Sequence, residues 1–170
     1  MDVSDVLLDG FGRLPDLVRS AVDGLSTDQL GWAPAPGANT IGWLVWHLTR
    51  IQDHHVSHLL DAEQLWVTGD WAARFGLSPE PQNTGYGHGP EQVAGVRPQG
   101  PDALIGYYTA VAARTDDLLR SVKPDDLDRI VDRRWNPPVT LGVRLVSILG
   151  DDLEHVGQAN YVRGLLPEHR

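Results

Sequence analysis

The chain has 170 residues, with 14 basic against 23 acidic side chains and a formal net charge of −9. That balance offers no basic stripe to neutralise phosphates, so nucleic acid is not an expected partner. Cysteine is absent, which excludes disulfides, thiolate metal ligands and a cysteine nucleophile; a thiol in the chemistry would have to arrive as a small molecule.

The length suits one domain over residues 1–170, large enough to bury a core, and six tryptophans supply bulky anchors for it. The start, Met1-Asp2-Val3-Ser4-Asp5, lacks the basic and apolar regions of a signal peptide. No apolar run approaches the ~18 residues of a membrane span. The expectation is a cytoplasmic protein with no membrane partner.

Residues 4–25 carry Leu7, Phe11, Leu14, Leu17, Val18, Ala21 and Leu25 at helical spacing, with Ser4 as the N-cap. Pro15 predicts a kink or a split in this first helix. Residues 26–30 read as a capped single turn, followed by a Pro/Gly loop that Trp32 pins. Thr40 caps a second long helix over residues 40–60, with Leu44, His47, Leu48, Ile51, His55 and Leu59 on one face and Trp43 and Trp46 on its flanks. About 20 residues at 1.5 Å each make a rod near 30 Å, a bundle length. His54, His55 and His58 read mainly as rim or solvated positions.

Residues 61–77 predict a short helix or two around Trp66, Trp71 and Phe75. Residues 78–100, rich in proline and glycine, predict a long irregular loop in which Tyr86 and His88 are candidate site-lining residues. A third long helix spans residues 102–122. Residues 133–139, with Pro137-Pro138, read as an extended connection, and Thr140 caps a fourth helix running to about residue 166. Four amphipathic rods and no clear strand signal give an all-α four-helix bundle, with the irregular loop between helices two and three. The long connections admit a crossover.

In the fourth helix the apolar stripe Leu141, Leu145, Ile148, Val156, Ala159 and Val162 is interrupted by Asp151 and His155. Four residues apart, these two side chains lie one above the other, about 6 Å apart, and both can reach one ion. They also read as a buried hydrogen-bonded pair, and His47 as a core histidine with a local partner. If helices two and four face each other, His47, Asp151 and His155 form a two-histidine, one-carboxylate set. Three ligands leave a position open, as in catalytic sites, and suit one divalent metal, Zn²⁺ first, with Ni²⁺ or Fe²⁺ as alternatives. Asp152 is the rival carboxylate. A two-metal centre would need carboxylates from all four helices.

The stretch Asn39-Thr40-Ile41-Gly42-Trp43-Leu44-Val45-Trp46-His47-Leu48, with His155-Val156-Gly157-Gln158 near the end, resembles the DinB-like (DinB/YfiT) superfamily and the N-terminal domain of mycothiol-dependent maleylpyruvate isomerase. By that resemblance His47 matches the metal histidine of the second helix, and His155 the second histidine of the His-x-x-x-His on the fourth. Asp151 stands where most members place the first of those histidines; the maleylpyruvate isomerases have an acidic ligand there. The resemblance implies a four-helix bundle, often a homodimer, with one divalent metal and a thiol cosubstrate of the mycothiol type. It further implies a small-molecule substrate and S-transferase or isomerase chemistry. Metal-dependent hydrolysis at the same residues and a non-enzymatic metal-binding bundle are the alternatives.

Overall fold

The structure is a computed structural model and describes residues 1–167. Its helices are α1 (Val3–Gly12), α2 (Leu14–Val22), α3 (Thr27–Leu30), α4 (Ile41–Leu59), α5 (Leu65–Thr68), α6 (Trp71–Arg74), α7 (Pro90–Gly95), α8 (Pro101–Ser121) and α9 (Leu141–Gly164). A 3₁₀ turn (Pro124–Asp126) and two short strands, β1 (Ile130–Asp132) and β2 (Val139–Thr140), join α8 to α9. The first rod of the bundle is α1 and α2 end to end. It is split at Arg13, and Pro15 stands in the first turn of α2, where its missing N–H costs nothing. Asp2 rather than Ser4 caps α1, through a reciprocal pair with Asp5; the Ser4 hydroxyl instead donates to the Leu119 carbonyl at the end of α8. Thr40 and Thr140 cap α4 and α9 as their positions predict.

Residues 133–139, expected to be extended, are mostly the loop of a small antiparallel hairpin whose strands flank them, with Ile130 opposite Thr140 and Asp132 opposite Val139. Two and three residues are too few for a period of two to stand out in sequence.

Side-chain pairs give the helix directions. Gly10 packs on Leu149, and Leu17 accepts from Asn160, so the first rod runs parallel to α9. His47 meets His155 while His55 meets Arg144, so α4 and α9 are antiparallel. Tyr107 bonds Asp53 and Arg114 bonds Ser57, so α4 and α8 run the same way. The bundle is therefore up-down-down-up. The chain must return the full length of α4, about 28 Å at 1.5 Å per residue, before α8 begins. Residues 60–100 make that return, and α5, α6 and α7 lie on it.

This crossover explains the composition of α4. Residues 41–50 are buried on every side, because the return segment covers the face that the bundle leaves open. Burial on all sides accounts for the mostly apolar composition of this stretch, in which only His47, Thr49 and Arg50 are polar. The core joins Phe11, Leu14 and Val18, Leu44 and Leu48, Leu104 and Val111, and Leu145, Ile148 and Val156. Among the described residues no helix is long and apolar enough to cross a membrane.

Candidate metal centre

Two turns into α4, His47 faces α9 and is 5% exposed. Its ring stacks on Trp43, one turn earlier, with centroids 4.6 Å apart and planes 9° from parallel. The ring of His155 meets it edge-on at 4.7 Å. Asp151 lies one turn before His155 on α9. One ligand atom from each of His47, Asp151 and His155 lies within 4.8 Å of the other two, and this group can hold a metal ion. His155 and Asp151 keep side-chain exposures of 17% and 30%, so the group opens to solvent on one side.

Hydrogen bonds fix the tautomers. His47 Nδ1 is 2.6 Å from the Thr84 carbonyl oxygen, and His155 Nδ1 is 2.8 Å from the Asp151 backbone carbonyl. A carbonyl only accepts, so both rings carry their proton on Nδ1 and keep the lone pair on Nε2. A backbone carbonyl behind the far nitrogen is the arrangement that orients metal-binding imidazoles. Burial, offset in part by the Thr84 bond, lowers the His47 pKa to about 4, with His155 and His88 pushing the same way. At neutral pH the ring is therefore the uncharged, ligating form.

The carboxylate supplies the test of fit. Asp151 Oδ2 is buried and has no hydrogen-bond partner; His155 Nδ1 is 3.6 Å away and already donates elsewhere. Burial raises the Asp151 pKa, against a lowering pull from His155 and with Glu154 adding to the rise. A desolvated anion short of donors, beside two imidazole lone pairs, is the environment that a divalent cation relieves. The donor set fits such an ion.

Asp152 is not one of this group. It is 0% exposed and turned into the core, and both its oxygens lack partners. Burial, reinforced by Asp151, raises its pKa well above the usual carboxylate range. Burial first, and then the nearby Asp152, raise the Tyr108 phenol as well. Adjacent residues on a helix diverge by 100°, so only Asp151 faces α4 with His155.

Among the other residues singled out in sequence, His88 lies on the wall of the site. Trp43 Nε1 donates to His88 Nδ1 at 3.2 Å, and His88 Nε2 donates to Asn83 Oδ1 at 2.9 Å. Its ring stacks on Trp46. Tyr86 points away and is 91% exposed. His54 bonds Gln64, His55 bonds Arg144, and His58 reaches the Val131 carbonyl, all toward the far end of α4. The loop arrives on His47 at Gly85, whose φ of +92° favours glycine and where a Cβ would stand 2.7 Å from His47 Nδ1. A cleft of about 460 Å³ lined by Thr27, Thr40, Val93 and Arg97 opens beside the start of α4, and none of the three ligand candidates lines it.

Sequence reasoning does not single out Arg50 and Asp53, both 0% exposed on α4. Arg50 donates to the Pro81 and Asn83 carbonyls and to the Tyr107 hydroxyl, and its guanidinium lies over the Trp66 ring at 4.9 Å. Asp53 accepts from the backbone N–H groups of Leu65 and Trp66 and from Tyr107. Two opposite charges three residues apart on one helix are the available signal.

No curated protein matches the chain. A crystal structure described as that of a conserved protein from Enterococcus faecalis superposes with a TM-score of 0.88 at 31% identity, covering 97% of each chain. A family model described as the DinB superfamily matches residues 11–159, which take in all of α2, α4 and α8, most of α9 and all three candidate ligands. With the fold and most of its length accounted for by that match, the chain belongs to the DinB superfamily.

Proposed function

We propose that this protein is a metal-dependent enzyme, a low-molecular-weight-thiol S-transferase or isomerase, in which His47, Asp151 and His155 hold one divalent ion. The observation that carries the reading is the convergence of these three groups, with a buried Asp151 oxygen left unbonded. Two imidazoles and a carboxylate suit zinc first, then nickel or iron(II). A bound divalent ion would lower the pKa of a coordinating thiol, so that thiolate is present near neutral pH. The chain has no cysteine to compete for that role. His47, fixed through Thr84, and Asp151, with its single negative charge, define where a thiol would sit. Trp43 and His88 wall one side and hold water back from it. The electrophilic small molecule would approach from the exposed side of Asp151.

The deciding experiment is elemental analysis of untagged protein beside His155→Ala, followed by assay with a mycothiol- or bacillithiol-type thiol and a panel of electrophiles. Near-stoichiometric metal that is lost in the variant, with metal-dependent thiol consumption, is the expected result. Absence of metal after incubation with Zn²⁺ or Ni²⁺ would sink the site. Bound metal with ester or amide hydrolysis and no thiol dependence would transfer the reading to a hydrolase.

We also infer a homodimer formed through α9. Val143, Val146, Leu153 and Tyr161 are exposed along one side of it, and Gly150 and Gly157 leave open space between them. A contiguous apolar stripe of this kind marks an interface. Light scattering should give twice the chain mass, falling to one chain in Leu153→Glu; a wild-type monomer at micromolar concentration would refute it.

A further inference from the structure

The loop carbonyl that fixes His47 is itself held from below. Thr84 contributes only a backbone oxygen, and its position depends on how residues 81–84 lie on α4. Within those four residues, two carbonyls, Pro81 and Asn83, accept from one buried guanidinium, that of Arg50, at 3.1 Å each. Arg50 is in turn fixed by Tyr107 at 3.3 Å and by Asp53 at 3.6 Å, and its guanidinium lies over the Trp66 ring. Tyr107 donates to Asp53 at 2.7 Å, which closes the set. Arg50 stands three residues after His47 on the same helix, so one short rigid stretch of α4 carries both the ring and the anchor of the carbonyl that orients it. A planar fork can hold two carbonyls at a set spacing; a lysine ammonium cannot reproduce that geometry.

We propose that Arg50 is a positioning residue for the candidate metal centre. By fastening Pro81 and Asn83 it seats the Thr84 carbonyl on His47 Nδ1, and so selects the tautomer that presents Nε2 to Asp151 and His155. The assignment rests on the metal reading for its purpose but not for its test, because the tautomer of His47 can be read in metal-free protein. Asp53 and Tyr107 also contact the guanidinium, but the two loop carbonyls are held by Arg50 itself.

The experiment uses the full chain, stripped of metal by chelator and labelled with ¹⁵N in histidine. Long-range ¹H–¹⁵N correlation spectra report which ring nitrogen carries the proton. Wild-type His47 is expected to be Nδ1–H. In Arg50→Lys, which keeps the charge beside Asp53 but loses the fork, His47 is expected to become a mixture of tautomers. Zn²⁺ affinity measured by calorimetry should weaken about 10–100-fold, the usual cost of losing an orienting partner. Tyr107→Phe leaves both loop carbonyls bonded, so it should lower the melting temperature and leave the tautomer as in wild type.

If Arg50→Lys does not fold, the double variant Arg50→Met/Asp53→Asn removes both buried charges together, a change that folds tolerate better than a lone charge. It should show the same mixed tautomer. A folded variant of either kind that keeps His47 wholly Nδ1–H would overturn the proposal, as would wild-type His47 found as Nε2–H. Wild-type protein that binds no metal, together with the expected tautomer change in Arg50→Lys, would refute the metal reading and leave Arg50 as the residue that sets the His47 tautomer.

Discussion

Arg50 and Asp53 on α4 form one polar cluster, and His47, about one turn earlier on that helix, forms a second with Asp151 and His155 of α9. In the first, the guanidinium has two carbonyls, a phenol and a carboxylate, and that carboxylate has two backbone N–H groups and the phenol. In the second, the imidazoles are bonded only on the nitrogens that face away, and the carboxylate keeps a buried oxygen without a partner. A fold can bury charge when it supplies all the hydrogen bonds, and the first cluster is built that way. It had the same means to complete the second and did not. The second leaves one carboxylate oxygen and two imidazole lone pairs unbonded, and that difference is the basis for proposing it as a site and the first as scaffold.

The largest effect that could break this comparison comes from deleting one carboxylate in each cluster. Asp53→Ala strands the Arg50 charge at zero exposure and leaves Leu65 and Trp66 N–H groups unpaired, at an expected cost of about 3–5 kcal/mol in urea unfolding. Asp151→Ala, in metal-free protein, should stay within about 1 kcal/mol of wild type or exceed it, because it removes a desolvated carboxylate that lacks donors. Zn²⁺ should then restore the contrast. At 100 times its dissociation constant it stabilises a binding-competent protein by about 2.7 kcal/mol, and Asp151→Ala should gain almost none of that. Equal losses for the two alanine variants without metal would make Asp151 one more structural carboxylate.

The same contrast separates what could be read from sequence from what could not. Helices α4, α8 and α9 begin and end within a residue or two of their predicted bounds, since apolar spacing and the Thr40 and Thr140 caps are local signals, whereas the first rod is split and ends three residues early. His47, Asp151 and His155 were legible for the same reason: each is a polar interruption in an apolar stripe. The Asp151–Asp152 choice was not, because a shift of one residue between the two faces of a helix depends on where the neighbouring helices sit. Nor were the partners that matter most. The Thr84, Pro81 and Asn83 carbonyls carry no residue-type signature, and they lie 31 to 37 residues along the chain from the side chains they serve. The parallel course of α4 and α8, which brings those carbonyls back over α4, follows from packing of the crossover rather than from any periodic pattern.

A smaller effect sharpens the comparison along α4 itself. His55 also reaches across to α9, but there it meets Arg144, whose guanidinium stands 3.3 Å from His55 Nε2 and is paired with Asp132. Burial first, then Arg144, His54 and His58, lower the His55 pKa to about 3, with Asp132 opposing them. In the unfolded chain the ring titrates near 6.5. Below that pH the unfolded state takes up a proton that the folded state refuses, so this group favours folding less and less as pH falls from 6.5 toward 3. His47, lowered to about 4, acts with the same sign, while Asp151 and Asp152, both raised, act with the opposite one. Comparing metal-free wild type with His55→Gln cancels those three and isolates His55, since glutamine can still accept from Arg144. Between pH 7 and 4.5 the wild type should lose on the order of 1–2 kcal/mol more than the variant, a figure discounted for the half-buried ring. Parallel stability curves would show that His55 is freely protonated in the fold. The cationic surroundings that distinguish it from His47, and that make its end of α4 unsuited to a second cation, would then be wrong.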